Sequence, residues 1–239
     1  MYKKYFRITV VIMIVVLNTI YAYADGVMVI EVPGGTVIPA QQNEIRMLKE
    51  IVKVGYEKVD AIFTFSNTTN KQIRLNMGFP VEEDNEPLYF IAKVDGKEIT
   101  ARQKDIYKKI SKNIKALKIK SPYSNYNSMY VWPIVFKPME KKVVKCTYRV
   151  QWYGDPAQPK LVGRFDYVTK TGALWKGNIK RADFYIDIQG VRPIDIKNKR
   201  VNLKINPKGY KIINYRTVEW HFRNWKPTED ISITIWQNK

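Results

Sequence analysis

Cysteine and histidine each occur once in the 239 residues, at Cys146 and His221. A chain with one cysteine has no internal disulfide. A Cys–His pair would need both residues on one side of their strands. Recognisable catalytic motifs are missing too: no GxSxG nucleophile elbow, no HExxH zinc site and no phosphate-cradling glycine loop occurs. Negative charge is scarce, with 22 acidic residues against 41 basic ones and a net charge of +19. Beyond the first 17 residues no apolar stretch is long enough to span a membrane, and no fixed-period repeat or low-complexity tail appears. RNP-like, helix-turn-helix and zinc-finger patterns are likewise absent, which disfavours nucleic acid as the partner of so basic a chain.

The N-terminus carries an export signal. Lys3, Lys4 and Arg7 precede the apolar run Ile8–Leu17, and Ala22-Tyr23-Ala24 stands before Asp25. A charged start, a short apolar middle and a small-x-small exit define a secretory signal peptide. The apolar run is shorter than the roughly 20 residues of a spanning helix. The expected mature chain is therefore Asp25–Lys239, cleaved after Ala24 and exported to the cell envelope, periplasm or medium. Losing three positive charges takes the net charge from +19 to +16. That excess reads either as a compositional bias or as a match to an anionic cell-wall polymer or membrane surface.

Period-two hydrophobicity dominates the mature chain. In KKVVKCTYRVQW, Val144, Cys146, Tyr148, Val150 and Trp152 alternate with Val143, Lys145, Thr147, Arg149 and Gln151, which makes Cys146 a core thiol. Val59, Ala61, Phe63 and Phe65 share a face, Asn67–Asn70 turn the chain, and Ile73, Leu75 and Met77 share a face of the return. Residues 44–57 put Ile45, Met47, Ile51 and Val54 among charges, with the phase interrupted midway. Asp95-Gly96 between strand-like flanks is a hairpin signal. Residues 130–138 and 140–154 read as a further pair around Pro138-Met139-Glu140. After GDPAQP (154–159) come six more short strands. In one of them Ala182, Phe184, Ile186 and Ile188 oppose Asp183, Tyr185 and Asp187. Many short strands with regular turn signals predict an all-β chain of two sandwich-like β units. The expected division is 25–153 and 160–239.

One segment departs from this period. Thr100 and Gln103 match a capping box, and Ile106, Ile110, Ile114 and Leu117 follow as a single helical stripe. The spacing predicts an amphipathic helix inserted in the first unit at about 101–118, stopped by Ser121-Pro122. Its lysines Lys104, Lys108, Lys109, Lys112, Lys115 and Lys118 are either a solvated cover over docked isoleucines or an anion-binding face. The loop beyond it offers Tyr123, Tyr126, Tyr130 and Trp132 as flat surfaces for stacking a ligand, although Tyr130 and Trp132 share strand phase and fit a core equally well. Trp236 lies opposite Ile231, Ile233 and Ile235 and is expected to pack between units. Glu82–Glu86 reads as a solvated acidic loop without EF-hand spacing.

Several stretches, GGTVIPAQQNEIRMLKEIVKV (34–54), VDAIFTFSNTTNKQIRLNMGFP (59–80), YVWPIVFKP (130–138), DYVTKTGALWKGNIKRADFYI (166–186) and WHFRNWKPTEDISI (220–233), resemble an exported bacterial family carrying a domain of unknown function of the DUF 4424 type. The strand–turn–strand ending in GFP is similar in style to the N-terminal β domain of vault and inter-α-trypsin-inhibitor proteins. The resemblance implies export and a β fold, and it brings no catalytic residues and no cofactor. The sequence thus predicts a non-catalytic binding or scaffolding module of the cell envelope. The alternative is an envelope polysaccharide hydrolase whose carboxylate pair is not identifiable from sequence.

Overall fold

The computed structural model describes residues 23–24, 26–31, 37–56, 58–81, 89–105, 128–149 and 160–238. They are nearly all strand. In chain order the strands are β1 (Tyr23–Ala24), β2 (Val27–Glu31), β3 (Val37–Ala40), β4 (Ile45–Gly55), β5 (Lys58–Asn67), β6 (Ile73–Val81), β7 (Phe90–Val94), β8 (Lys97–Ile99) and β9 (Arg102–Asp105). They continue as β10 (Ser128–Phe136), β11 (Lys141–Tyr148), β12 (Leu161–Val168), β13 (Ile179–Asp187), β14 (Val201–Asn206), β15 (Lys211–Ile213), β16 (Thr217–Trp225) and β17 (Ile231–Gln237). A 3-10 turn at Lys170–Leu174 and a one-turn helix at Pro193–Lys197 are the helical pieces described.

Three sheets result. An eight-stranded sheet runs β15-β16-β13-β4-β5-β11-β7-β8, a five-stranded sheet β3-β2-β6-β10-β9, and a four-stranded sheet β1-β12-β17-β14. Strands from both sides of residues 154–159 share the largest sheet, because β13 pairs in parallel with β4 from Arg181↔Lys49 to Ile186↔Val54. One hydrophobic cluster draws on all three sheets: Phe63 and Phe184 from the eight-stranded sheet, Met77 and Trp132 from the five-stranded one, Ile233 and Tyr167 from the four-stranded one. A smaller cluster of Val27, Val29, Met129, Val131 and Val168 covers the other face of the five-stranded sheet. Cys146 is buried in the main cluster. Residues 151–159 and 82–88, which hold the breaker-rich stretch and the acidic loop, lie outside the described residues.

The strand phases read from the sequence place the core correctly, but two expected hairpins are arches. The strand after Asn67–Asn70 does not return beside β5; β6 joins the five-stranded sheet and pairs with β10 and β2. Likewise β10 and β11 do not pair around Met139; β10 stays with β6 and β9, whereas β11 pairs with β5 and β7. Both connections therefore cross between layers, and the buried Asn67 side chain joins them. Its Nδ2 donates to the carbonyls of Lys71 (2.7 Å) and Lys137 (2.8 Å). Its Oδ1 accepts from the backbone N–H (2.9 Å) and hydroxyl (2.8 Å) of Thr69. Alternation records which face a residue takes, not which strand lies beside it, so hairpin and arch give one pattern.

The phase break in residues 44–57 is a β-bulge between Met47 and Lys49. A bulge adds one residue to its strand and switches the facing of the residues beyond it. Ile45 and Met47 face the core before it; Glu50, Val52 and Val54 do so after it. At Asp95-Gly96 the hairpin forms as expected, with φ of 50° and 82°, a conformation that glycine adopts without steric cost.

The expected helix is corrected at its start. Arg102–Asp105 form β9, paired antiparallel with Ser128–Val131 of β10. Gln103, assigned to a capping box, donates its side-chain amide to Ser128 Oγ at 3.2 Å. Polar residues at alternate positions on an edge strand satisfy the capping-box pattern as well as a helix start does, and pairing with β10 decides between them. Residues 106–127, which include the isoleucine stripe, lie outside the described residues.

Candidate functional site

The β8–β9 connection carries the chain from the edge of the eight-stranded sheet to the edge of the five-stranded sheet, and a cavity of about 540 Å³ opens at that corner. Its polar wall consists of Asn76, Thr100, Arg102 and Lys104, and its apolar wall of Ile99, Val131 and Pro133, with Trp132 alongside. Register explains the grouping. Arg102 stands opposite Val131, Lys104 opposite Met129, and Asn76 opposite Pro133. Cross-strand partners share a face, so Arg102, Lys104, Val131, Pro133 and Asn76 all lie on one side of the five-stranded sheet.

The chemistry of this wall is one-sided. It offers a guanidinium, an ammonium, a hydroxyl and an amide, and no carboxylate among the described lining residues. Such a set of donors beside an apolar floor suits a small or segmental ligand that carries negative charge.

Two of the sequence-predicted candidates meet here, from different groups. Lys104, expected on a basic helix, projects from β9 into the cavity wall. Trp132, expected as a stacking surface, lies one residue out of phase with Val131 and Pro133. It is 1% exposed, part of the main core, with its ring centroid 6.2 Å from that of Phe90. Its indole Nε1 is buried with no hydrogen-bond partner among the described residues. Tyr130, on the same face as Trp132, stacks on Phe90 at 4.2 Å and 2° between planes and is half buried. Lys108, Lys109, Lys112, Lys115, Lys118, Tyr123 and Tyr126 lie outside the described residues. Arg102 and Asn76 do not stand out in the sequence, and Thr100 does so only as a capping-box residue; the signal available was the alternation of Thr100, Arg102 and Lys104 through TARQK.

With this geometry in place, comparison with known proteins bears on the same segment. Residues 28–115 match the model of a domain of unknown function, DUF4424. The chain carries a domain of that type. The DUF4424 segment includes every polar residue of the cavity wall. A crystal structure of a "putative nutrient binding protein" from Legionella pneumophila is similar in fold, with 18% identity and a TM-score of 0.66 over 90% of this chain and 70% of that one. Two M1 zinc metallopeptidase structures, one bound to tryptophan and one, from Deinococcus radiodurans, bound to a Tyr-Ser-Ala substrate, also match. Their identities are 9% and 8% and their TM-scores 0.32 and 0.33. The chain covers 44% of their length, and likeness at that level carries no argument. No curated protein matches the chain.

Other titratable groups gather elsewhere. On the outer face of the eight-stranded sheet, His221 Nδ1 lies 3.0 Å from Asp183 Oδ1, and His221 Nε2 lies 3.4 Å from Glu219 Oε2. This is the facing read from sequence, opposite Val218 and Trp220, which are buried. Cys146 faces the core from β11 and His221 the outer side from β16, so the two do not meet. Among the described residues no group of three or more His, Cys, Asp or Glu is disposed to hold a metal ion. No described helix is long and apolar enough to cross a membrane.

In the core, Glu50 is fully buried and accepts a 3.3 Å hydrogen bond from the Tyr167 hydroxyl at Oε1, while Oε2 has no partner among the described residues. Burial pushes its carboxyl up to about 8, and the Tyr167 bond opposes this only in part. Sequence reading misses it because the bulge that turns Glu50 inward is visible only as a break in phase.

Proposed function

We propose that this chain is an exported, non-catalytic binding protein of the cell envelope, built from sandwich-like layers of β-sheet, whose ligand is an anionic molecule or polymer segment seated at the corner cavity. The observation that carries this reading is the composition of the cavity wall: Arg102, Lys104, Thr100 and Asn76 converge there with no described carboxylate among them. A binding role also agrees with the name given to the Legionella pneumophila protein of similar fold. The signal-like N-terminus and the net charge of +19, or +16 once residues 1–24 are removed, support an anionic target outside the cytoplasm.

The test uses two probes, purified cell-wall polymer and vesicles containing phosphatidylglycerol, each at low and high salt. Salt-sensitive retention of the full chain on one of them, reduced by Arg102→Ala, is the expected result. One exposed charge-assisted contact is worth about 1.5 kcal/mol, or roughly tenfold in affinity. Retention that ignores both salt and Arg102 refutes the reading.

A further inference from the structure

Three cations stand in one cross-strand row on the outer face of the eight-stranded sheet. Arg223 of β16 lies opposite Arg181 of β13, and Arg181 lies opposite Lys49 of β4. Residues of the opposite phase on these strands, Ala182, Val52 and Trp220, face the core, which fixes the outward facing of the row. Like charges directly opposite one another destabilise a sheet. A row of three therefore needs negative charge beside it.

The protein supplies part of that charge. The Asp183 side chain is 1% exposed. It accepts hydrogen bonds from Arg181 Nε and, at 3.1 Å, from Arg223 Nη1, and it lies 3.0 Å from His221 Nδ1. Burial opposes its ionisation, but the bonds from His221, Arg181 and Arg223 prevail and hold its carboxyl below the usual carboxylate range. Glu219, the other acid at this end of the face, is turned to His221 Nε2.

Asp183 thus clamps both guanidinium groups through one nitrogen each. Among the described residues, both Nη groups of Arg181 and the Nε and Nη2 of Arg223 have no partner, and Lys49 has no ion pair. Arg223 Nη1 also donates to the Phe222 carbonyl at 2.9 Å, which fixes its plane. The donors left over come from three side chains on three adjacent strands, and two of those side chains are already ordered.

We infer that Arg181, Arg223 and Lys49 form a phosphate-binding site on the outer face of the eight-stranded sheet. Paired guanidinium forks offer a tetrahedral oxyanion several directed N–H donors, which a carboxylate with two oxygens uses less fully. Clamping by the buried Asp183 removes side-chain entropy before the ligand arrives. A bound phosphate would also offset the like-charge repulsion along the row. This site is on a different sheet from the corner cavity and stands or falls without it.

The experiment titrates the full chain with inorganic phosphate at fixed ionic strength and, in a parallel arm, with linear polyphosphate, following backbone amide NMR shifts on β4, β13 and β16. One-to-one binding is expected, weakened about tenfold by Lys49→Ala and by Arg223→Gln, the loss of one charge-assisted contact each. Lys93→Ala, which removes the same charge from β7 on the same face, is the control and should leave affinity unchanged. Circular dichroism checks that each variant is folded; Lys49→Ala breaks no side-chain hydrogen bond or ion pair among the described residues and keeps the test open if Arg223→Gln unfolds. Equal affinity per phosphate in the two arms identifies a free phosphate group as the ligand, and tighter binding of polyphosphate identifies a phosphate polymer. Absence of binding at millimolar phosphate overturns the inference, as does equal weakening by Lys49→Ala and Lys93→Ala. Loss on Arg102→Ala with none on Lys49→Ala moves phosphate to the corner cavity and also overturns it.

Discussion

Replacing Glu50 by glutamine should stabilise the protein more strongly as pH rises. In the fold its carboxyl titrates at about 8, against 4.5 for the ordinary group. Because the folded value is raised, the folded state prefers the protonated acid. Below about pH 4 both states are protonated and burial costs nothing in linkage. Between about pH 4.5 and 8 the unfolded chain ionises while the folded chain does not, so stability falls as pH rises; above about pH 8 the loss is constant. Each pKa unit is worth about 1.36 kcal/mol. The loss is therefore about 3 kcal/mol at pH 7 and approaches about 5 kcal/mol at pH 9 as an upper figure. Glutamine keeps an acceptor for the Tyr167 hydroxyl and cannot ionise. Urea unfolding of wild type and Glu50→Gln at pH 5, 7 and 9 isolates the effect, since the other titrating groups cancel in the difference. The stability difference should move in favour of the variant by several kcal/mol from pH 5 to pH 9. A difference that stays constant across that range would refute the claim that Glu50 is buried and neutral.

Asn67→Ala should cost about 3 kcal/mol in the same assay at constant pH, because it strips the four side-chain bonds that tie two interlayer arches and leaves the Lys137 carbonyl with the Glu140 N–H and the Lys71 carbonyl with the Thr69 hydroxyl; a loss below about 1 kcal/mol would mean that water replaces the amide. Gly78→Ala should cost about 1–3 kcal/mol, since a Cβ there would lie 2.5 Å from Val29 Cγ1 and 2.9 Å from Met129 Sδ. A neutral effect, read from the thermal midpoint, would show that the smaller core cluster yields without strain. The Arg102 variant in the retention assay and the Lys49 variant in the phosphate titration complete the set.

How far the candidate site could be read from sequence depended on whether its residues are joined by periodicity or by pairing. Lys104 and Trp132 are recognisable as unusual residues, yet for reasons that do not bring them together. TARQKD fits a capping box, which points Lys104 to a helix, and only the ladder to Ser128–Val131 makes it a strand residue. Arg102 becomes notable once β9 sets it opposite Val131 beside Asn76 and Pro133. Three strands far apart in the chain build that wall, and no local pattern reports their adjacency.

Alternation of apolar and polar residues fixed the β class of this chain and the facing of Phe63, Cys146, Phe184 and His221, because side chains on a strand must take opposite faces in turn. It could not say which strands are neighbours. That was settled by closing three sheets over one core, which turned two expected hairpins into arches, set β13 against β4, and lined up Arg223, Arg181 and Lys49. It also drew Glu50 inside through a single bulge. Hydrogen-bond pairing between distant strands is decided by the free energy of the whole packed core, and a one-dimensional pattern carries only each strand's share of it.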